Sequence, residues 1–364
     1  GRRRELKFAL EAYWSGKSAA ADLLETARSL RAANWREQKA RGITKIPSND
    51  FSLYDHVLDT AVMVGAVPDR YGWTGGEVSL DTYFAMARGS QEQDSSGCGH
   101  AGHGHGVTAL EMTKWFDTNY HYMVPELTDD QAFTLTSTKP VDHFLEAKEL
   151  GIHTRPVVLG PVTFLKLAKS QAEGFNPLAL LPRLLPVYEE LLRRLAQAGA
   201  DWVQIDEPAL VLDLIPNERE AFKFAYSRLS AAAPQLKIML ATYFGALGDN
   251  LDTALDLPVA GLHVDLARAP DQLAAVGRLA PKEMVLSLGL IDGRNVWRAN
   301  LPAILDRIKP IVAGWPLEHI EVASSCSLLH VPIDLDLEPA IDADVRSWLA
   351  FSAQKMDELV VLSR

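Results

Sequence analysis

The chain has 364 residues, of which 48% are hydrophobic and 23% are charged, and its formal net charge is −11. This size fits either one large α/β barrel or two ordinary domains. No apolar run approaches the roughly 20 residues that a membrane span requires, and an acidic chain lacks the positive field behind general nucleic-acid binding. Neither a membrane nor a nucleic acid is therefore expected as a partner.

Two features of the sequence indicate a cytoplasmic location. The first residues, Gly1 to Lys7, are largely charged and lead into an amphipathic helix rather than an apolar secretory signal. The two cysteines, Cys98 and Cys326, offer no disulfide framework, and a reducing compartment is the default for such a chain.

The predicted first helix runs to about Trp14 and begins with a basic cluster of Arg2, Arg3, Arg4 and Lys7. Cations at a helix N-terminus oppose the helix dipole, whereas an anion bound there is favoured by both the dipole and the cations. Taken alone, the spacing favours a solvated basic terminus over an anion site.

Helical periodicity continues over 19–41, and a short strand is predicted at 43–47. A further helix is predicted at 54–62, and Ser79 is the predicted N-cap of a helix over 80–87. These elements are the beginning of an α/β pattern.

Residues 89–106 form a low-complexity insert that carries Cys98, His100, His103 and His105. Thiolate and imidazole groups are ligands that zinc prefers, so the cluster is a candidate metal site. Six glycines among these eighteen residues leave the ligands without a rigid support. A flexible insert is therefore the favoured interpretation.

The segment 109–127 mixes aromatic residues with polar ones, among them Lys114 and Asn119, and is not typical of a core strand. Together with 133–136 it is predicted to form an antiparallel β-hairpin excursion near 119–136. On spacing alone, the aromatic residues pack and the polar residues face water.

From residue 141 onward strands and helices alternate, which is typical of a parallel sheet covered by helices. A final helix is predicted at 345–359. The expected fold is an α/β, TIM-type (β/α)8 barrel that lacks its first strand, and this strand is expected to lie upstream of Gly1. Seven parallel strands are predicted, centred on Ile43, Val157, Val203, Ile238, Leu262, Val285 and Ile320.

Ligand chemistry in such folds collects at the carboxyl ends of the strands. Asp206 and Glu207 end one apolar run there, but neighbouring residues of a strand point to opposite faces, so only one acid can enter the barrel mouth. A catalytic carboxylate pair is therefore not expected. His263 is expected to be a buried, hydrogen-bonded histidine, and Cys326 lacks the partners that a zinc site needs.

Six sequence motifs stand out along the chain: RELK (4–7), EMTKWFDTNYHYM (111–123), LGPVT (159–163), VQIDEPAL (203–210), GRNVWR (293–298) and VASSCSLL (322–329). Together and in this order they closely resemble the N-terminal half of cobalamin-independent methionine synthase. The resemblance covers essentially the whole chain outside the insert.

The resemblance implies that residues 1–364 form a single N-terminal (β/α)8 barrel domain of a two-barrel enzyme. In that family the C-terminal barrel carries zinc and binds L-homocysteine, which is methylated to methionine. The N-terminal barrel holds the polyglutamate tail of the methyl donor, 5-methyltetrahydropteroyltri-L-glutamate. This chain alone is accordingly expected to lack catalytic residues and metal ligands and to be inactive without its C-terminal barrel.

Carried over residue by residue, the resemblance also assigns roles to single positions. Tail binding falls on Arg4, Lys7, Lys114 and Asn119. The basic N-terminus is accordingly interpreted as an anion site, although its spacing alone favours a solvated terminus. Four further residues are expected to lie at the barrel mouth: Asp206, Glu207, Arg294 and Cys326. The two acids are expected there to orient the loops around Arg294.

Two other interpretations stay open from the residues themselves. One is a self-sufficient barrel enzyme that uses Asp206 or Glu207 as a general acid or base. The other is a metal-binding module built on the cysteine and histidines of the insert. Zinc stoichiometry separates them, because only the module predicts one tight zinc ion that is lost with those histidines.

Overall fold

A parallel β-sheet organises the fold in the computed structural model, which describes residues 1–90, 106–170 and 173–364. The strands are β1 (Pro47–Ser48), β2 (Met112–Lys114), β3 (His121–Met123), β4 (Glu126–Leu127), β5 (Arg155–Leu159), β6 (Lys169–Ser170), β7 (Trp202–Asp206), β8 (Lys237–Ala241), β9 (Gly261–Asp265), β10 (Val285–Ile291) and β11 (Ile320–Ser324). Seven of them form one sheet in the order β1-β5-β7-β8-β9-β10-β11, over the residues described.

Helices connect successive strands of this sheet and cover it. They are α1 (Glu5–Trp14), α2 (Ala20–Arg41), α3 (His56–Met63), α4 (Leu80–Arg88), α5 (Lys139–Glu149), α6 (Pro161–Leu167), α7 (Leu181–Ala198), α8 (Pro216–Ala232), α9 (Leu251–Asp256), α10 (Gln272–Leu279), α11 (Leu301–Gly314), α12 (Ala343–Trp348) and α13 (Ser352–Leu362). Every residue of β9 and β10 is buried, as expected for parallel strands covered on both faces.

The sheet is curled rather than flat. Arg155 on β5 and Glu321 on β11 form an ion pair, although five strand spacings, roughly 24 Å, would separate these strands in a flat sheet. Within the described residues no strand joins β1 to β11, so the sheet remains open between its two edges. The predicted number of parallel strands is confirmed, but the expected barrel is present only as an open, curled sheet.

A second hydrophobic cluster lies beside the main core and joins α1, α3, α4 and the β2-β3 hairpin. Leu10, Leu58, Phe84 and Met123 are buried in it together. Ser79 caps α4 by accepting a hydrogen bond from the backbone N–H of Thr82, at 3.1 Å, which confirms the predicted N-cap. The cluster therefore ties the N-terminal helix to the hairpin.

The hairpin lies earlier in the chain than predicted. It pairs Met112 with Met123 and Lys114 with His121, so it spans 112–123 instead of 119–136. The segment 133–136, which was the predicted partner, runs along the end of α3 and donates backbone hydrogen bonds to its last carbonyls there. The backbone N–H groups of Thr134 and Thr136 are therefore paired with carbonyls at the end of a helix and not with another strand.

Two other predicted elements differ from the structure. β1 is only two residues long, and Ile43 precedes it. The single terminal helix predicted at 345–359 is two helices, α12 and α13, separated at Leu349 to Phe351. The break occurs because Leu349 and Phe351 are buried in a small cluster with Leu335, and the backbone of Leu349 bridges to Trp297.

In the part of the chain that the structure describes, none of the helices combines the length and apolar character needed to cross a bilayer.

Candidate functional site

A cavity of about 1930 Å³ occupies the interior of the curled sheet, and its lining extends from the amino ends of the strands, at Lys237 and Val285, to their carboxyl ends. Polar side chains from several strand ends line it, as parallel sheets with helical crossovers require. Those at the mouth include Asn49, Asp50, Asp206, Tyr243, Ser324 and Cys326. The residues predicted at this edge of the sheet therefore border the cavity, and a functional site there stays a prediction.

Asp206 is the acid of the predicted pair that faces the cavity. Its Oδ1 accepts a hydrogen bond from Nε2 of Gln204, at 2.8 Å, and its Oδ2 accepts one from the hydroxyl of Tyr243, at 3.0 Å. Burial raises the pKa of Asp206 to about 6, although both hydrogen bonds oppose this shift.

Glu207 points to the opposite face, toward the helices. It is fully buried, and it accepts hydrogen bonds from the backbone N–H groups of Val162 (3.3 Å) and Thr163 (2.8 Å) and from the hydroxyl of Tyr226 (3.3 Å). Burial raises its pKa to about 7, against these hydrogen bonds. A side chain at Gly160 would lie 2.1 Å from the Glu207 carboxyl, so the glycine permits this approach. The prediction that the two acids diverge is confirmed, and Glu207 anchors the first turn of α6.

Aromatic rings enclose the mouth of the cavity. The ring of His56 stacks on Tyr120, with 5.5 Å between centroids, and meets Trp115 edge-on at 4.4 Å. Burial lowers the pKa of His56 to about 4, so the imidazole is neutral at physiological pH. His330 lies near Tyr120 and Phe244. Sequence patterns did not identify His56 or His330, because neither belongs to a strand end.

A second polar network lies at the same mouth. Lys139 donates hydrogen bonds to Oδ1 of Asn49, at 3.0 Å, and to Oδ2 of Asp59, at 2.8 Å. The hydroxyl of Tyr83 donates to the other oxygen of Asp59. Asp50, next to Asn49, is exposed and lines the same cavity.

The residues predicted to bind a polyglutamate tail are all exposed and lie on two elements. Arg4 is the N-cap of α1, in a left-handed conformation with φ 62°, and Lys7 lies one turn later, 3.7 Å from Glu11. Lys114 ends β2, and Asn119 lies in the hairpin loop. Because α1 and the hairpin pack in one hydrophobic cluster, both elements are held on the same part of the molecule.

Arg294 is held by the β2-β3 hairpin. It donates to the carboxylate and to the backbone carbonyl of Asp117, at 2.9 Å in each case. The hydrogen bonds of Asp206 and Glu207 described above go to other groups, so the expectation that they orient the loops around Arg294 stays a prediction. Asp117 was not a predicted site residue, since nothing in the sequence indicates which distant arginine it meets.

The described residues do not fit a zinc ion. No group of three or more His, Cys, Asp and Glu side chains among them is arranged to hold a metal. Nδ1 of His263 lies 2.9 Å from the hydroxyl of Ser287 and Nε2 lies 3.2 Å from the carbonyl of Ser325, which confirms a buried, hydrogen-bonded histidine. Burial raises the pKa of the Cys326 thiol to about 12. The candidate ligands Cys98, His100, His103 and His105 lie outside the described residues.

The fold and the cavity define an α/β protein whose curled parallel sheet encloses a cavity with polar and aromatic side chains at the carboxyl ends of its strands. Residues 1–315 match the family described as "Cobalamin-independent synthase, N-terminal domain". Since this match covers most of the chain, the protein belongs to that family.

Relatives of high identity extend over the whole chain. A 5-methyltetrahydropteroyltriglutamate–homocysteine methyltransferase of Mesorhizobium japonicum is 79% identical over 369 residues, which cover 100% of this chain and 47% of the relative. One of the same name from Caulobacter vibrioides is 63% identical, with 100% and 48% covered. The chain thus spans about half the length of the curated relatives it matches.

Solved structures share the fold at low sequence identity. A B12-independent methionine synthase from a Shewanella species, in complex with selenomethionine, aligns with a TM-score of 0.65 at 12% identity, over 95% of this chain and 89% of the other. A methyltransferase from Methanosarcina mazei aligns with a TM-score of 0.55 at 13% identity, over 93% and 84% of the two chains.

Proposed function

We propose that residues 1–364 are the N-terminal domain of a two-barrel enzyme that transfers the methyl group of 5-methyltetrahydropteroyltri-L-glutamate to L-homocysteine, making methionine. The proposal is supported by relatives of that name at 79% and 63% identity, of which this chain covers about half. The remaining half of such a protein is the C-terminal barrel, and zinc is assigned to that barrel as the family resemblance implies.

The part of this domain in the reaction is to hold the polyglutamate tail of the methyl donor. The observation that carries this proposal is the exposed ammonium of Lys114, which has no ion pair among the described residues. Lys169, which is also exposed, is by contrast paired with Glu111. In a chain of net charge −11, an exposed and uncompensated cation is a local attraction for an anionic ligand.

The N-terminus of α1, a helix that packs in the same hydrophobic cluster as the hairpin, provides a second attraction. Arg4 and Lys7 occupy the N-cap and the first turn, where the helix dipole also favours an anion. A triglutamate tail carries several carboxylates along a flexible chain, so separated cations can each bind one of them. Asn119, exposed on the hairpin loop, supplies an amide for a further hydrogen bond.

Methyl transfer itself is assigned to the complete protein. Glu207 is turned away from the cavity and committed to α6, so it cannot exchange a proton with a ligand there. Of the two acids, only Asp206 lines the cavity, and its two oxygens are occupied by hydrogen bonds from Gln204 and Tyr243. The isolated domain is therefore expected to show no turnover, and methionine formation by residues 1–364 alone would contradict the proposal.

The test compares tail binding in single variants of the two-barrel protein. Lys7→Ala and Lys114→Ala are each expected to weaken binding of the folate triglutamate about tenfold, as loss of one charge-assisted contact predicts. Lys17→Ala is the matched control, because Lys17 is equally exposed but follows the C-terminal end of α1. Titration calorimetry at two salt concentrations measures the affinity, and the effect of both variants should shrink at high salt.

Unchanged affinity in both Lys7→Ala and Lys114→Ala would show that these residues do not hold the tail. An equal loss in Lys17→Ala would show a general effect of net charge in place of a site.

A further inference from the structure

The tip of the β2-β3 hairpin is held against the sheet by one acid, Asp117. Its Oδ1 accepts a hydrogen bond from Arg294 at 2.9 Å, its backbone carbonyl accepts a second from the same guanidinium at 2.9 Å, and its Oδ2 is paired with Arg268. Burial raises the pKa of Asp117, but the charges and hydrogen bonds of the two arginines outweigh it and hold the pKa below its ordinary value. The carboxylate is charged at neutral pH.

Both arginines are themselves fixed at strand ends. The guanidinium of Arg294 lies over the ring of Phe244, 5.2 Å from its centroid, and its backbone N–H donates to Asp292 at 2.7 Å. Asp265, at the end of β9, accepts hydrogen bonds from the backbone N–H groups of Arg268 (2.8 Å) and Phe244 (3.1 Å). Asp117 is thus connected to the carboxyl ends of β8, β9 and β10.

The loop around Asp117 has a fixed conformation. The hydroxyl of Thr118 donates to the carbonyl of Trp115 at 2.6 Å and accepts from the backbone N–H of Tyr120 at 3.1 Å. Phe116 has φ 50°, and its ring lies 5.6 Å from that of Phe244. A bulky residue keeps this left-handed conformation only where its surroundings impose it, and such strain collects at functional sites.

The other end of the hairpin is attached as well. Asp55 caps α3 by accepting from the backbone N–H groups of Val57 and Leu58, and its second oxygen accepts from the backbone N–H of Met123 at 3.1 Å. The hairpin is therefore fixed at its base by Asp55 and at its tip by Asp117. Lys114 and Asn119 lie between these two attachments.

We propose that Asp117 is a positioning residue for the anionic tail: it holds the loop from Lys114 to Asn119 in the conformation that meets the tail, without touching the tail itself. The proposal rests on the proposed function, because these two side chains need a fixed position only if they bind a ligand. A loop that is ordered before binding does not lose conformational freedom on binding, and that gain appears as affinity.

Simple electrostatics predicts the opposite effect of removing this acid. Loss of the Asp117 charge makes the region more positive and frees two guanidinium groups, which would strengthen attraction for any polyanion. The sign of the change in affinity therefore distinguishes a positioning role from a merely electrostatic one.

The test uses steady-state kinetics of the two-barrel protein with the triglutamate methyl donor. In Asp117→Asn, KM for the donor is expected to rise about tenfold while kcat stays within about twofold, since only binding is affected. Asp117→Glu should retain most of the affinity. Arg294→Gln should behave like Asp117→Asn, and the double variant should be no worse than either single one, because both remove the same attachment.

Asp336→Asn serves as the control, since Asp336 is also an exposed aspartate that forms an ion pair with an arginine, Arg346, on another part of the chain. A KM unchanged or lowered in Asp117→Asn, while Lys114→Ala raises it, would overturn the positioning role and leave tail binding intact. A KM unchanged in both variants would overturn tail binding itself. A fall in kcat equal to the rise in KM would also contradict the proposal, because it would indicate general damage to the domain.

Discussion

The guanidinium of Arg155 on β5 and the carboxylate of Glu321 on β11 form a two-point ion pair inside the curled sheet, with N–O distances of 2.6 and 2.8 Å. Both side chains are largely buried, at 8% and 16% exposure. Arg155 also lies over the ring of Trp202, 5.0 Å from its centroid. The pair brings the last strand of the sheet back toward the second, although no backbone ladder joins them among the described residues.

Breaking this pair on one side is expected to be strongly destabilising. Arg155→Met leaves the Glu321 carboxylate buried without a partner, which typically costs about 3–5 kcal/mol in the free energy of unfolding. Replacing both residues by methionine should recover most of this loss, because no unpaired charge then remains. Urea denaturation of the single and double variants measures the difference in the free energy of unfolding. Lys309→Ala is the control: it breaks an exposed ion pair with Asp306 and should change stability little. Equal losses in the single and double variants would contradict this account.

The buried carboxyl of Glu207 makes stability depend on pH. Burial raises its pKa from 4.5 to about 7 in the folded protein. Between these two values the folded state binds more protons than the unfolded state, so the free energy of unfolding falls as pH rises through this window. Below about pH 4.5 the contribution is fully present, and above about pH 7 it is lost.

Glu207→Gln removes this titration and isolates its effect. The amide leaves one of the three donors unpaired, so the variant starts less stable than the wild type at low pH. As pH rises from about 5 to about 8, the difference is expected to shift by roughly 3 kcal/mol in favour of the variant. Parallel urea titrations across this range measure it. A difference that stays constant with pH would mean that Glu207 is ionised throughout.

The sequence predicted most of the sheet, because each parallel strand is a short apolar run with a polar end. The divergence of Asp206 and Glu207 followed from the strand period alone. The hairpin partner and the break near Leu349 did not follow, since both are decided by contacts between distant segments: the end of α3 in the first case and Trp297 in the second.

The residues of the candidate site also fall into two groups: those that the sequence indicated and those that only the structure shows. Lys114 and Asn119 were assigned through the resemblance of the motif at 111–123 to a known family, and both are exposed. The ion pair of Asp117 with Arg294 joins residues 177 positions apart, so no local pattern marks it. His56 and Lys139 were missed because they lie on helices, whereas the strand-end rule considers only the residues directly after a strand.

Cys326 is expected to be chemically inert in the folded protein. The thiol is buried, with 5% exposure, and burial raises its pKa to about 12, so almost none is thiolate at neutral pH. In a Cys98→Ser background, alkylation by iodoacetamide should be at least about tenfold slower in buffer than in urea, because unfolding restores an ordinary thiol. Rapid labelling of the folded protein would show an accessible thiolate and reopen Cys326 as a possible ligand.

Removal of the glycine- and histidine-rich insert tests the remaining metal hypothesis. Ser90 and Val107 exchange two backbone hydrogen bonds, at 2.8 and 3.0 Å. The residues that flank 91–106 are therefore paired directly with each other. Replacing 91–106 with Asn-Gly gives a two-residue hairpin turn at this point. Because the paired ends are kept, thermal stability is expected to change by no more than about 2 °C.

The same variant should keep its affinity for the folate triglutamate, because α1 and the β2-β3 hairpin lie outside the replaced segment. Val107→Pro is the contrasting variant: proline cannot donate the hydrogen bond to Ser90, so this change should lower stability where the replacement does not. Zinc analysis of the purified protein completes the experiment. One tight zinc ion per chain that disappears with 91–106 would favour the module built on Cys98 and its neighbouring histidines, whereas unchanged zinc content would eliminate it.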